Sequence, residues 1–130
     1  MKAMVFHEYG PVDVLRYEEV PTPKPSSGEV LMRVRATALN QADIMARKGH
    51  PYRPNKTFPH VLGADIAGEI AEVGPDVEEV EVGMPVVAYG TLPCGRCEFC
   101  LTGEPNVCFR RGYLGAHEWG GYAQYMKLPA

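Results

Sequence analysis

Glu29-Val30-Leu31-Met32-Arg33-Val34-Arg35-Ala36-Thr37-Ala38 sets Val30, Met32, Val34 and Ala36 on one face of an extended chain and Arg33 and Arg35 on the other. Side chains alternate like this on a pleated strand with one buried and one wet side. Residues 2–7, 14–20, 65–73, 84–89 and 121–128 continue the strand pattern, and Gly68 inside one of them predicts a bulge or a close backbone approach. The 14 glycines and 12 prolines are spread along the whole chain, which implies many short strands joined by turns. Pro21-Thr22-Pro23-Lys24-Pro25-Ser26-Ser27-Gly28 reads as a stiff solvated turn between two strands. One helix is expected, over residues 40–48: Asn40 can cap it, Ala42, Ile44, Met45 and Ala46 follow, and Gly49 can stop it. The expected fold class is mostly β, a partly open barrel with short helices.

With 130 residues, 45% of them hydrophobic, the chain is long and apolar enough for one globular domain with its own core. A net charge of -3 and the acidic patch Glu78-Glu79-Val80-Glu81 argue against nucleic acid as a partner. No apolar run approaches the roughly 18 residues of a membrane span, and His7 and Glu8 interrupt the apolar start before it can serve as a signal segment. A cytoplasmic location without membrane contact is therefore expected. Neither Gly-x-Gly-x-x-Gly nor a P-loop occurs, so these residues are expected to hold no nucleotide phosphate.

All four cysteines fall in Cys94-Gly95-Arg96-Cys97-Glu98-Phe99-Cys100-Leu101-Thr102-Gly103-Glu104-Pro105-Asn106-Val107-Cys108. The spacing predicts one tetrahedral Zn2+ site, with Cys94, Cys97, Cys100 and Cys108 as ligands. Disulfides among Cys94, Cys97 and Cys100 would need very tight loops and an oxidising compartment, and three overlapping thiols make a poor redox dyad. A catalytic zinc keeps a position open for water or substrate, whereas four thiolates close the coordination sphere, so the expected role is structural. Such a metal contributes about 10 to 16 kcal/mol in zinc-finger peptides, enough to order a glycine-bearing lobe of about 91–112. Arg96, Arg110 and Arg111 can offset the negative charge of the thiolates.

The order of motifs resembles the N-terminal GroES-like domain of the medium-chain dehydrogenase/reductase family, which includes zinc alcohol dehydrogenases and quinone reductases. The residues that carry the likeness are 1–6, 21–34, Leu62-Gly63-Ala64-Asp65 through Ala71-Glu72-Val73-Gly74, Val82-Gly83-Met84-Pro85-Val86, the cysteine lobe, and Gly120-Gly121-Tyr122-Ala123-Gln124-Tyr125. The resemblance implies one GroES-like domain over 1–130, the substrate-binding half of an enzyme whose following Rossmann domain binds NAD(P). Leu128-Pro129-Ala130 looks like the point where the family's chain leaves this domain. The sequence is therefore read as a domain fragment, inactive and without dinucleotide by itself, of an enzyme that is a homo-oligomer when intact.

In alcohol dehydrogenases of this family a second, catalytic zinc is held by a Cys that opens the helix, by the His of Gly-His-Glu, and by a further Cys. Here Asn40 stands in place of the first, and Gly63-Ala64-Asp65 replaces Gly-His-Glu. An amide oxygen is a feeble zinc ligand and a methyl group is none, so no catalytic zinc is expected. His60 and His117 read as loop or packing residues rather than substitute ligands. Asn40 followed by Asp43 looks like the zinc-free branch of quinone and enone reductases. Both residues can point into a substrate cleft from one helix face, and equally Asn40 can cap the helix while Asp43 favours its positive end. Asp65 is a third candidate at the cleft rim; Tyr52 and Phe58 could wall an apolar pocket but are read as ordinary packing aromatics.

The favoured reading is hydride transfer from NAD(P)H to a quinone, enone or carbonyl substrate, with Asn40, Asp43 and Asp65 as candidate catalytic residues. A zinc-dependent alcohol or polyol dehydrogenase is the alternative within the class, and a stand-alone zinc-stapled binding module is the alternative outside it.

Overall fold

The alternation in residues 29–38 produces the strand it predicts, β3 (Glu29–Ala38), in the interior of a four-stranded antiparallel sheet. The computed structural model describes residues 1–51 and 57–130. On one side β3 pairs with β5 (Asp65–Val73), from Val30 opposite Val73 to Ala38 opposite Asp65. On the other it pairs with β9 (Tyr125–Pro129), from Glu29 opposite Pro129 to Arg33 opposite Tyr125. β6 (Pro85–Ala88) completes the sheet beyond β5.

The pairing of β3 with β5 shifts register twice, between Leu31 and Met32 and between Val34 and Ala36. Strict alternation is lost there: Val30, Leu31 and Met32 are all buried, while Ala36, expected inside, is exposed. Arg33 and Arg35 are exposed as expected and reach Glu69 at 3.9 and 2.7 Å. Gly68 pairs with Val34 beside the second shift. A methyl group on Gly68 would collide with the Arg33 carbonyl oxygen, so the close approach read from the sequence is present.

A second sheet has the order β2-β1-β4, made by β1 (Lys2–Phe6), β2 (Arg16–Glu19) and β4 (His60–Val61). The expected strand over 14–20 starts later because Val12–Val14 forms a 3-10 turn behind Pro11. Residues 121–124, also expected as strand, instead tie the parts together. The Met4 amide donates to the Tyr122 carbonyl at 2.7 Å, and the Tyr122 amide to the Leu62 carbonyl at 2.9 Å. The third sheet pairs β7 (Thr91–Leu92) with β8 (Gly112–Tyr113). Among the described residues, helical structure is limited to α1 (Gln41–Arg47), α2 (Glu98–Leu101) and 3-10 turns at Val12–Val14 and Pro105–Val107. The fold is thus mostly β, and among the described residues no sheet is closed on itself.

Three buried clusters hold these parts together. Met32, Ile66, Ala88, Leu114 and Met126 fill the four-stranded sheet's inner face. Ala3, Val5, Val20 and Val61 pack behind β1, and Phe6, Ala46, Leu62 and Ala116 join β1 to α1. Tyr122 packs against the second and third clusters at once. Burial of each large apolar side chain contributes roughly 1.5 to 3 kcal/mol, and the third cluster anchors α1 through Ala46. Among the described residues, no helix is long and apolar enough to cross a membrane.

Candidate functional site

β7 and β8 form the neck of the cysteine lobe, with Thr91 opposite Tyr113 and Leu92 opposite Gly112. Beyond the neck, Cys97 caps α2, α2 carries Cys100, and the Pro105–Val107 turn delivers Cys108. The four sulfurs converge, all within 4.8 Å of one another. Cys97 Sγ lies 3.5 Å from Cys100 Sγ and 3.7 Å from Cys108 Sγ, and Cys94 Sγ lies 4.0 Å from Cys100 Sγ. A tetrahedron with metal–sulfur bonds of about 2.3 Å has edges of about 3.8 Å, so the donor set fits Zn2+. No two of the thiols are joined as a disulfide.

The backbone prepares the sulfurs for negative charge. The Arg96 amide, aided by that of Cys97, draws the Cys94 thiol down to about 6, and the Cys94 amide, 3.5 Å from Cys108 Sγ, lowers Cys108. Burial and the neighbouring thiols push Cys100 up to about 11, because four thiolates cannot share this space without a cation among them. Of the arginines expected to offset that charge, Arg111 donates to the Cys108 carbonyl at 3.0 Å and to the Tyr113 hydroxyl, while Arg110 stacks on Phe109 at 5.5 Å.

The other candidate residues meet where β3 runs into α1. Asn40 has extended backbone (φ -128°) and forms a capping box with Asp43. Its Oδ1 accepts the Ala42 amide at 3.0 Å, and the Asp43 carboxylate reaches back to the Asn40 amide at 2.8 Å. Asn40 Nδ2 is left to donate outward, to Asp65 Oδ2 at 2.9 Å. One side chain therefore both caps the helix and joins it to the start of β5.

Asp43 faces inward. It is 5% exposed and accepts three hydrogen bonds, from the Asn40 amide, the Gly63 amide at 3.0 Å and the Tyr122 hydroxyl at 2.8 Å. Gly63 sits at φ +104°, and a methyl there would meet the Tyr122 ring at 2.6 Å. Burial first, then the bond to Asp43, pushes the Tyr122 phenol well above its usual range, so it remains a donor at neutral pH. Sequence reasoning placed Tyr122 in a motif without a role; nothing local in the sequence signals a partner 79 residues away.

Asn40 and Asp65 are exposed, and Ala64 beside them is half-buried. Asn40 borders a depression of about 390 Å3, together with Leu39, Ile44 and Tyr122. A second, of about 320 Å3, is bordered by Ala38, Asp65 and Val87. The pair thus offers an amide donor at one largely apolar hollow and a carboxylate acceptor at the other.

The other residues singled out in the sequence lie elsewhere. His60 is buried edge-on against Phe6, 5.8 Å between ring centroids, and Phe58 packs on Phe6 at 5.5 Å and on Tyr9 at 5.1 Å. His117 packs 5.6 Å from the Tyr113 ring. Tyr52 lies outside the described residues.

Residues 26–130 match the family model for the alcohol dehydrogenase GroES-like domain. The chain is 40% identical over 128 residues to the acryloyl-coenzyme A reductase of Sulfurisphaera tokodaii, covering 98% of this chain and 37% of that protein. A solved NAD-dependent alcohol dehydrogenase is 46% identical and superposes with a TM-score of 0.91, over 99% of this chain and 37% of that one. A cobalt- and zinc-bound thermostable alcohol dehydrogenase from Pyrobaculum aerophilum is 38% identical, with a TM-score of 0.92 over 99% of this chain and 39% of that one. The chain therefore spans well under half the length of the relatives it matches.

Proposed function

Given that the chain belongs to the alcohol dehydrogenase GroES-like domain family, we propose that it is the substrate-binding domain of an NAD(P)-dependent oxidoreductase that needs no catalytic zinc. The domain takes in residues 1–130, with the metal lobe at about 91–112. The nicotinamide, held by the remainder of the intact protein, supplies or accepts the hydride. This chain's part is to orient the substrate, exclude water and donate hydrogen bonds where negative charge develops on a carbonyl oxygen.

The observation that carries this reading is the Asn40–Asp65 hydrogen bond at 2.9 Å beside the methyl of Ala64. An amide already used as a helix cap, a methyl and one carboxylate are poor ligands for a second zinc, which favours thiolate and imidazole. The same groups suit a carbonyl or quinone oxygen: Asn40 Nδ2 donates, and Asp65 orients it. Zn2+ belongs to the cysteine lobe, where it has a structural role. Similarity to a reductase of an acryloyl thioester supports an activated double bond as the acceptor. The cobalt- and zinc-bound relative supports the alternative, a metal-dependent alcohol dehydrogenase. That alternative requires donors which positions 40 and 64 do not provide here.

The test is reduction of a conjugated enone or quinone by NADH or NADPH in the intact protein, with and without Asn40→Ala. Loss of the cap costs about 1 kcal/mol of stability, whereas loss of a donor to developing charge costs about a hundredfold in kcat. A variant that stays folded and loses kcat on that scale supports the reading. A variant with wild-type kcat, or one whose loss of activity only follows its loss of stability, contradicts it.

A further inference from the structure

We propose that Tyr122 is a positioning residue that acts through Asp43 to hold Asn40 at the substrate. The assignment deepens the functional reading above and rests on it. The observations that lead to it are three contacts of one buried carboxylate. Asp43 Oδ2 takes both the Tyr122 hydroxyl at 2.8 Å and the Asn40 amide at 2.8 Å, and Oδ1 takes the Gly63 amide at 3.0 Å. These donors come from three separate stretches of chain: the crossing at 121–124, the start of α1, and the turn before β5. The carboxylate is their common acceptor, and it holds the backbone of Asn40 and of the Gly63 turn that leads into Asp65.

Of these bonds, a capping box needs only the one from the Asn40 amide. With the Asn40 amide alone, Asp43 would be an ordinary cap residue on a seven-residue helix. The phenol adds something a cap does not require. Tyr122 is wedged between two core clusters, its ring lies against Gly63, and its hydroxyl is fixed toward Asp43 Oδ2 and, more loosely, the Ala38 carbonyl at 3.4 Å. Asp43 therefore cannot change rotamer without abandoning a buried donor, which costs about 1 to 3 kcal/mol. Asn40 and Asp65, both exposed, have no comparable packing of their own. Their mutual bond at 2.9 Å has its geometry set from beneath, by Tyr122 through Asp43.

The substitution Tyr122→Phe keeps the ring between the clusters and removes only the hydroxyl. The experiment follows two signals by NMR in the intact protein. One is amide hydrogen exchange at Asn40 and Gly63; the other is the chemical shift of the Asn40 side-chain amide proton, which is displaced while it is bonded to Asp65. The expected result is at least tenfold faster exchange at both amides and loss of the Asp65-dependent shift of the Asn40 side chain, with the zinc content unchanged. Asp43→Asn, which replaces a carboxylate oxygen by a donor facing other donors, should act in the same direction, and it serves as the second variant if Tyr122→Phe does not fold. Unchanged exchange and an unchanged Asn40 shift in the folded variant would overturn the proposal. These signals need no substrate, so a protein that fails to transfer hydride refutes the functional reading without deciding the role of Tyr122.

Discussion

His60 lies at the junction of β1 and β4 with 1% of its surface exposed, and neither ring nitrogen makes a hydrogen bond to the described residues. Burial draws its imidazole from 6.5 down to about 4, outweighing the opposite influence of the Gly115 backbone and Glu118, while His117 adds to the lowering. The folded protein thus keeps His60 neutral at pH values where the unfolded chain takes up a proton. Stability tied to this residue is complete above pH 6.5 and is lost as the pH falls through about 4. Melting temperatures measured across that window should fall more steeply for the wild type than for His60→Leu. The comparison isolates His60, because protonation of the cysteine thiols is common to both proteins. Parallel curves would show that the imidazole is not held neutral by its surroundings.

At the scale of elements, the lobe and the sheets are nearly independent. The lobe's neck is a pair of two-residue strands, and its interior holds only the short α2 and one 3-10 turn. The three hydrophobic clusters take almost all their residues from outside it. Replacement Cys97→Ser should therefore release zinc and free the amides of residues 91–112 to exchange, while the β sheets keep their circular dichroism and most of their exchange protection. Global unfolding on this substitution would show that the sheets depend on the lobe. Both the lobe and the helix start were legible in the sequence because each is decided by neighbours along the chain. Cysteines three apart converge locally, and Asn40, Asp43 and Gly49 carry start and stop signals within one turn of the helix. Bonds between distant segments leave no such trace: Asn40 and Asp65 are 25 residues apart, and Asp43 and Tyr122 are 79 apart. The exposure of Ala36 was hidden for a related reason, since the register shifts of β3 depend on its partner β5. β4, two residues long, is too short to show any period.

For the whole molecule, the fold and family set the frame, and the proposed chemistry rests on the positions at the start of α1 and β5. Four sulfurs, all within 4.8 Å of one another, could hold one metal ion. At the helix start, Asn40 is engaged by Ala42 and Asp65, and position 64 carries only a methyl group. On the proposed reading, the intact protein works with one metal ion, held in the cysteine lobe, and with hydrogen bonds rather than a Lewis acid at the substrate. Zinc analysis of the purified intact protein, by inductively coupled plasma mass spectrometry against protein concentration, tests this most directly. The account predicts one zinc per chain, lost in Cys97→Ser. Two zincs per chain, with the second retained in that variant, would contradict it.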